Sequence, residues 1–166
     1  GSDCSERMIQ LAQEKRILRS GRRWMTGKTL DLRVEDAAVR SCVDASIDGI
    51  TCAFGLRNIP DRRAVLAGVF RALKPGGRFG VCEFSLPASP MVRRVYDRYL
   101  SGVMPLAGRL VLGQAEPLRY LARSIHHWHE TVDLRGELTQ AGFADIQATP
   151  LTGGIVTLTV ARKAIR

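Results

Sequence analysis

At 166 residues the chain is the length of one domain and can bury roughly two-thirds of the surface that its unfolded form exposes. Hydrophobic residues at 45% and charged residues at 25% exclude a disordered or fibrous protein, and no apolar run reaches the roughly 18 residues that a membrane span needs. The net charge of +9, from 25 Lys and Arg against 16 Asp and Glu, favours anionic partners.

The basic residues are scattered in pairs, Arg22-Arg23, Arg62-Arg63 and Arg93-Arg94, with few aromatics between them. That argues against a stacking platform for nucleic acid and for a solvated or membrane-facing basic surface. Cys4, Cys42, Cys52 and Cys82 lack C-x-x-C spacing and read as buried, reduced thiols, with no metal site expected. The start, GSDCSERMIQ, has no basic-then-apolar leader pattern, so a cytoplasmic protein is expected.

In chain order, Ser5 is a candidate N-cap for an amphipathic helix carrying Met8, Ile9, Leu11, Ala12, Ile17 and Leu18, stopped by Ser20-Gly21. Alternation over 28–34, with Leu30, Leu32 and Val34 on one face, predicts a strand, and the apolar run 47–54 predicts another, buried on both faces. Asp61 opens a helix whose inward stripe is Val65, Leu66, Val69, Phe70 and Leu73, and Lys74-Pro75-Gly76-Gly77 ends it. A strand over 78–84 follows directly, which makes a βαβ unit with parallel pairing. Residues 90 to about 106 form a helix with Val92, Val95, Tyr96, Tyr99 and Val103 on one face, and a less regular stretch runs to about Ser124. A helix over 132–141 ends at Gly142, and strands over 144–151 and 155–163 turn at Thr152-Gly153-Gly154.

Ala-Phe-Gly-Leu-Arg-Asn (53–58) after one strand, Leu-Lys-Pro-Gly-Gly-Arg (73–78) before the next and Glu83-Phe84-Ser85 at its end resemble the UbiE-type quinone C-methyltransferases. The likeness continues, in order, through Tyr96-Asp97 with Tyr99, Tyr120-Leu121-Ala122 with Ser124, Ala141-Gly142-Phe143 and Leu151-Thr152-Gly153-Gly154-Ile155. A helix-ending L-K-P-G-G is common among class I methyltransferases, whereas F-G-L-R-N followed by E-F-S is much more particular.

The resemblance implies an α/β, Rossmann-like class I methyltransferase fold, a mostly parallel sheet closing in an antiparallel hairpin, with 1–166 as one partial domain. It implies S-adenosylmethionine as cofactor and a ring carbon of a prenylated quinol as methyl acceptor. Asp3 stands where the family's ribose-binding carboxylate is expected, Asp36 and Ala37 where the adenine lies, and Ala53 where a small residue meets the cofactor. Residues 39–45 depart from the family's apolar-proline pattern beside the adenine.

Arg57 and Asn58 follow a strand's carboxyl end, where open α/β sheets place ligands. They are the catalytic candidates, Arg57 to stabilise a phenolate and orient a proton-accepting water, Asn58 to hold an oxygen. Read without the family they are a helix-entry loop with a surface arginine. Arg57→Ala is expected to abolish turnover with little effect on folding. Tyr96 and Tyr99, three apart on one helix face, are substrate-covering candidates or plain core. His126, His127 and His129 lack metal-site spacing and read as a surface cluster or loop.

Nothing matches the family's upstream strand and glycine-rich turn, so an N-terminally truncated fold is expected, by omitted residues, by a second polypeptide or second copy completing the sheet, or by natural shortening. The last would make the chain a non-catalytic, methyltransferase-like subunit. The prenyl tail of the expected substrate would set the protein to work beside a membrane, assisted by its positive surface.

Overall fold

The structure is a computed structural model that describes residues 2–3, 5–19, 33–34 and 42–165, with side chains over 5–14, 42–110 and 113–165. It divides into two compact units, Gly1–Cys42 and Val43–Arg166. In the first, β1 (Ser2–Asp3) pairs in parallel with β2 (Arg33–Val34), and α1 (Glu6–Arg19) lies between them in sequence. Ser5 caps α1 as its composition predicts, with the Met8 amide 3.4 Å from its Oγ, and Ile9 is the buried member of the apolar set among the described side chains.

The second unit is built on a sheet in the order β3-β4-β6-β5. Its members are β3 (Ile47–Ala53), β4 (Leu73–Phe84), β5 (Phe143–Leu151) and β6 (Val156–Lys163). The strands β3 and β4 run parallel, joined by α2 (Arg62–Ala72), while β4–β6 and β5–β6 are antiparallel. The sheet is thus mixed, an α/β arrangement finishing in the expected hairpin.

Local chemistry sets these elements. The Asp61 carboxylate accepts from the Ala64 amide at 3.0 Å and starts α2, whose Val65, Leu66 and Val69 are buried beside Leu73, with Phe70 half-buried. The Lys163 ammonium closes the other end, donating to the Phe70 and Leu73 carbonyls at 2.7 and 2.8 Å, where a cation meets the negative end of the helix dipole. Strand β4 begins earlier than its glycines suggest: Leu73 pairs with Ile47, the register shifts, and Arg78 pairs with Gly49. Within that bulge Gly76 has φ 79°, and a Cβ on Gly77 would stand 2.9 Å from the Lys74 carbonyl oxygen. Leu66, Leu73, Phe79, Val81, Phe143 and Ala161 are buried, and Phe70 meets the Phe143 ring edge-on at 5.2 Å.

Further expectations are corrected. Strand β3 is not buried on both faces, since it ends the described sheet and only Ile50 along it is buried. The helix expected over 90–106 extends as α3 (Pro90–Arg98), one π turn (Tyr99–Val103) and α4 (Met104–Leu112). The stretch expected to be irregular becomes, after Gly113, a sixteen-residue helix, α5 (Glu116–Thr131), so the three histidines lie on a helix rather than a loop. Its Pro117 fits the first turn, where the missing N–H costs nothing, and its apolar residues Leu121, Ile125 and Trp128 recur at intervals of four and three. A final helix, α6 (Leu134–Gln140), starts on the Asp133 carboxylate and is tied to α2 by Arg62, which grips Glu137 with two bonds of 2.9 and 3.0 Å.

Among the described residues Cys42, Cys52 and Cys82 are half-buried thiols rather than buried ones, with no disulfide, and Cys4 lies outside those residues. No described helix is long and apolar enough to cross a membrane, and no described group of acidic, His and Cys side chains could hold a metal.

Candidate functional site

Strand β3 delivers the chain to a short 3-10 turn, Leu56–Asn58, at the carboxyl end of the parallel pair. Phe54 adopts φ 57° to make the change of direction, Leu56 plugs the core with no exposed surface, and the side chains of Arg57 and Asn58 follow. That buried Leu56 fixes where Arg57 can reach.

Arg57 is not a surface residue. Its side chain is 7% exposed, its Nη1 lies 2.8 Å from Oε2 of Glu83, and the Glu83 side chain is 4% exposed. The other carboxylate oxygen, Oε1, accepts from the Arg57 amide at 3.2 Å, so one carboxylate holds both the backbone and the side chain of the turn. Nη1 also donates to the Phe54 carbonyl at 3.0 Å, and Nε to Oγ of Ser124 on α5 at 3.2 Å. Ser124 is itself anchored, donating to the Leu121 carbonyl at 2.8 Å. Beneath the guanidinium lies the Phe84 ring, its centroid 5.3 Å from Cζ. A guanidinium has five N–H donors, and among the described residues the Nη2 pair makes no hydrogen bond.

Asn58 is more open. Its Oδ1 accepts from the Tyr120 hydroxyl at 3.2 Å, which links the turn to the first half of α5 and leaves the amide nitrogen as a donor.

Phe84 joins this polar end to an apolar one. It lines a cavity of about 550 Å³ with Val92, Val95, Tyr96, Tyr99, Leu100 and other apolar side chains, including Ile125 and Ile155. Tyr96 and Tyr99 both belong to that lining, their rings near-parallel with centroids 6.5 Å apart. Tyr96 is buried, which pushes its hydroxyl above the usual 10.0, with the neighbouring Tyr99 and Asp97 adding to the effect. Tyr96 is therefore packed into one small core with Leu86, Leu100 and Ile125 and also faces the cavity, whereas Tyr99 lines the cavity from an exposed position. At Tyr96 wall and core are the same residue.

Ala53 is the last residue of β3, exposed, and paired in register with Cys82 of β4. Asp3 is the last residue of β1, and its side chain lies outside the described residues, as do Asp36 and Ala37 altogether. The structure thus brings Arg57, Asn58, Tyr96 and Tyr99 around Phe84 and α5. Reading the sequence for single residues overlooked Glu83, Tyr120 and Ser124 as members of this group. The signal for Glu83 was present, a carboxylate at the polar end of an otherwise apolar strand. The distances of 26 and 67 positions to Arg57 hid its partners.

The chain as a whole is similar to known proteins. A demethylmenaquinone methyltransferase of Clavibacter sepedonicus is 43% identical over 161 residues, covering 95% of this chain and 61% of the relative. A ubiquinone/menaquinone biosynthesis C-methyltransferase UbiE of Teredinibacter turnerae is 43% identical over 129 residues, 78% of this chain and 52% of that one. The chain therefore spans little more than half the length of these curated relatives. A SAM-dependent methyltransferase structure from Methanosarcina mazei superposes on all of the chain and 82% of its own, at a TM-score of 0.61 and 20% identity, and so shares the fold. The model of the ubiE/COQ5 methyltransferase family matches residues 1–163, and the chain belongs to that family.

Proposed function

We propose that the chain acts in methyl transfer from S-adenosylmethionine to a ring carbon of a prenylated quinol, as one methyltransferase domain over 1–166. The observation that carries the reading is the buried Arg57 at the strand ends, one aromatic ring away from an apolar cavity of about 550 Å³. A quinol with an isoprenoid tail has the same polarity, a hydroxylated ring joined to a hydrocarbon chain. The names of the relatives from Clavibacter and Teredinibacter point to quinone biosynthesis.

The cofactor would supply an electrophilic methyl group. Among the described side chains Ala53 fits it, being small and exposed at the carboxyl end of β3, the kind of position at which α/β sheets meet their ligands. By the family resemblance, Asp3 would hold the ribose hydroxyls, Asp36 and Ala37 would lie beside the adenine, and Ala53 would pack near the cofactor.

The remaining work belongs to this chain's own side chains. Carbon becomes nucleophilic when the neighbouring hydroxyl loses its proton, and Arg57 stabilises the resulting phenolate through its two Nη2 donors. A guanidinium is a poor base, so water accepts that proton, and the proton lost from the methylated ring carbon returns the ring oxygen to its hydroxyl form. Glu83, Ser124 and the Phe54 carbonyl hold the guanidinium fixed, so no rearrangement is needed when the charge develops. Asn58 offers an amide donor to a second oxygen, and Tyr96 and Tyr99 wall the hydrocarbon side.

Contact with a membrane surface belongs to this reading, because such a tail partitions into lipid. Pairing at the β3 end with a second copy or another chain belongs to it too, supported by the order β3-β4-β6-β5.

The test is transfer of labelled methyl from S-adenosylmethionine to a short-tailed demethylmenaquinol, beside calorimetric titration with S-adenosylhomocysteine. Methylated product is expected, with about a hundredfold loss in Arg57→Lys, which keeps the charge but not the planar fork. A folded chain that neither binds the cofactor product nor transfers methyl would overturn the reading.

A further inference from the structure

The surface of α3 and α4 carries an apolar row that nothing in the second unit covers. Val92, Val95, Tyr99, Val103, Leu106 and Leu110 are all exposed, from 42% at Val92 to 77% at Leu110. Their spacing of three or four positions puts them broadly on one side of a continuous helical segment, Pro90–Leu112. At about 1.5 Å per residue that row is roughly 30 Å long. Scattered exposed apolar residues are normal, but an ordered row of this length marks an interaction surface.

Two further observations say what covers it. Arg94 and Arg98, both exposed and one helical turn apart, stand beside Val95 and Tyr99 on the helix surface, and Arg109 is exposed further along. Apolar residues on one side with arginines at the border fit the boundary of an anionic bilayer, where the stems lie along hydrocarbon and the guanidinium groups reach phosphate. Moreover, Val92, Val95 and Tyr99 belong at once to the row and to the wall of the apolar cavity, so the cavity opens on the row.

We infer that α3 and α4 lie flat on an anionic lipid bilayer, with the apolar cavity opening toward its hydrocarbon. A hydrophobic ligand then passes sideways from the bilayer into the cavity without crossing water. This gives the membrane contact proposed above its surface and the cavity its entrance. It rests on that contact but not on the reaction, because binding is read without turnover.

Vesicle sedimentation of the 166-residue chain tests it, with phosphatidylcholine vesicles containing or lacking phosphatidylglycerol. Binding is expected to the anionic vesicles, falling several-fold as salt rises from 50 to about 300 mM. The pair Leu106→Glu and Leu110→Glu, outside the cavity lining, should lower partitioning at least tenfold with an unchanged melting midpoint. If that double variant fails to fold, Arg94→Glu with Arg98→Glu should abolish the preference for phosphatidylglycerol. No vesicle binding by the parent chain, or equal binding by the folded variants, would overturn the inference. A solution dimer that the Leu106 and Leu110 substitutions dissociate, with no vesicle binding, would assign the row to a second copy and overturn it equally. Loss of methyl transfer with vesicle binding intact would remove the reaction and leave this surface standing.

Discussion

Two arginines five positions apart each meet a glutamate, and their settings differ. Arg62 and Glu137 join α2 to α6 with two parallel bonds, the side chains 22% and 18% exposed and the Trp128 ring 5.5 Å from the guanidinium carbon. The hydrogen bonds from Arg62 to Glu137 hold the guanidinium still further toward its charged form, as a clamp between helices would. Arg57 and Glu83 are almost sealed, at 7% and 4%, and the arginine spreads its donors over three partners. Burying two charges costs more than their attraction returns unless the geometry is held well, so a clamp alone would not need this degree of burial. The comparison separates an ion pair that fastens two helices from one sealed in the site to which the proposed function assigns a catalytic use.

The sharpest way to break that comparison is to remove one partner from each pair. Glu83→Ala leaves the Arg57 charge buried without its carboxylate and should destabilise the protein by about 3–5 kcal/mol in urea unfolding. The reciprocal Arg57→Ala strands Glu83 in the same way, so the expectation that it would hardly affect folding does not survive the geometry. Glu137→Ala, at a pair reached by water, should cost about 1 kcal/mol. Equal losses at the two sites would mean that burial does not distinguish them.

A smaller effect concerns the cavity wall. The Tyr96 hydroxyl titrates above its ordinary 10.0 because burial, first, and then Tyr99 and Asp97 disfavour the phenolate. The folded state therefore holds this proton longer than the unfolded state does. Its contribution to stability is complete below about pH 10 and is lost as pH rises through the folded pKa. Tyr96→Phe should flatten the alkaline fall in the melting midpoint, and an unchanged slope would show that Tyr96 is not its source.

The smallest effect serves as a reference. Lys74 and Asp48 form an exposed pair at 2.8 Å that lowers the Asp48 pKa below 3.8, first through the hydrogen bond and then through charge. Stabilisation of this kind is present above the unfolded value and disappears as pH falls through the folded one. Lys74→Ala should leave the melting midpoint at neutral pH unchanged within error.

Much of the fold was legible because its signals are local. Asp61 before an apolar stripe, a glycine break and an apolar strand specify strand, helix and strand within 40 residues, and Thr152-Gly153-Gly154 gives the hairpin turn directly. The helix over 116–131 was missed because its apolar residues recur on a narrow face while His126, His127 and His129 crowd the rest, so composition masked period. Strand 47–54 misled in the opposite sense. An apolar run states what could be buried, and only its place at the end of the sheet left most of it exposed.

The candidate site divides in the same way. That Arg57 and Asn58 follow a strand's carboxyl end was readable from the chain alone, since the strand and the turn are contiguous. So was the βαβ unit that puts them there, and so was the likeness that proved to be family membership. That Arg57 is sealed against Glu83, steadied by Ser124 and set over Phe84 was decided by β4 pairing beside β3 and by α5 packing on the turn, contacts separated by 26 and 67 positions. Sequence specifies elements through neighbours a few residues apart. The charge's environment depends on which distant elements exclude water from it, and that exists only once they have packed.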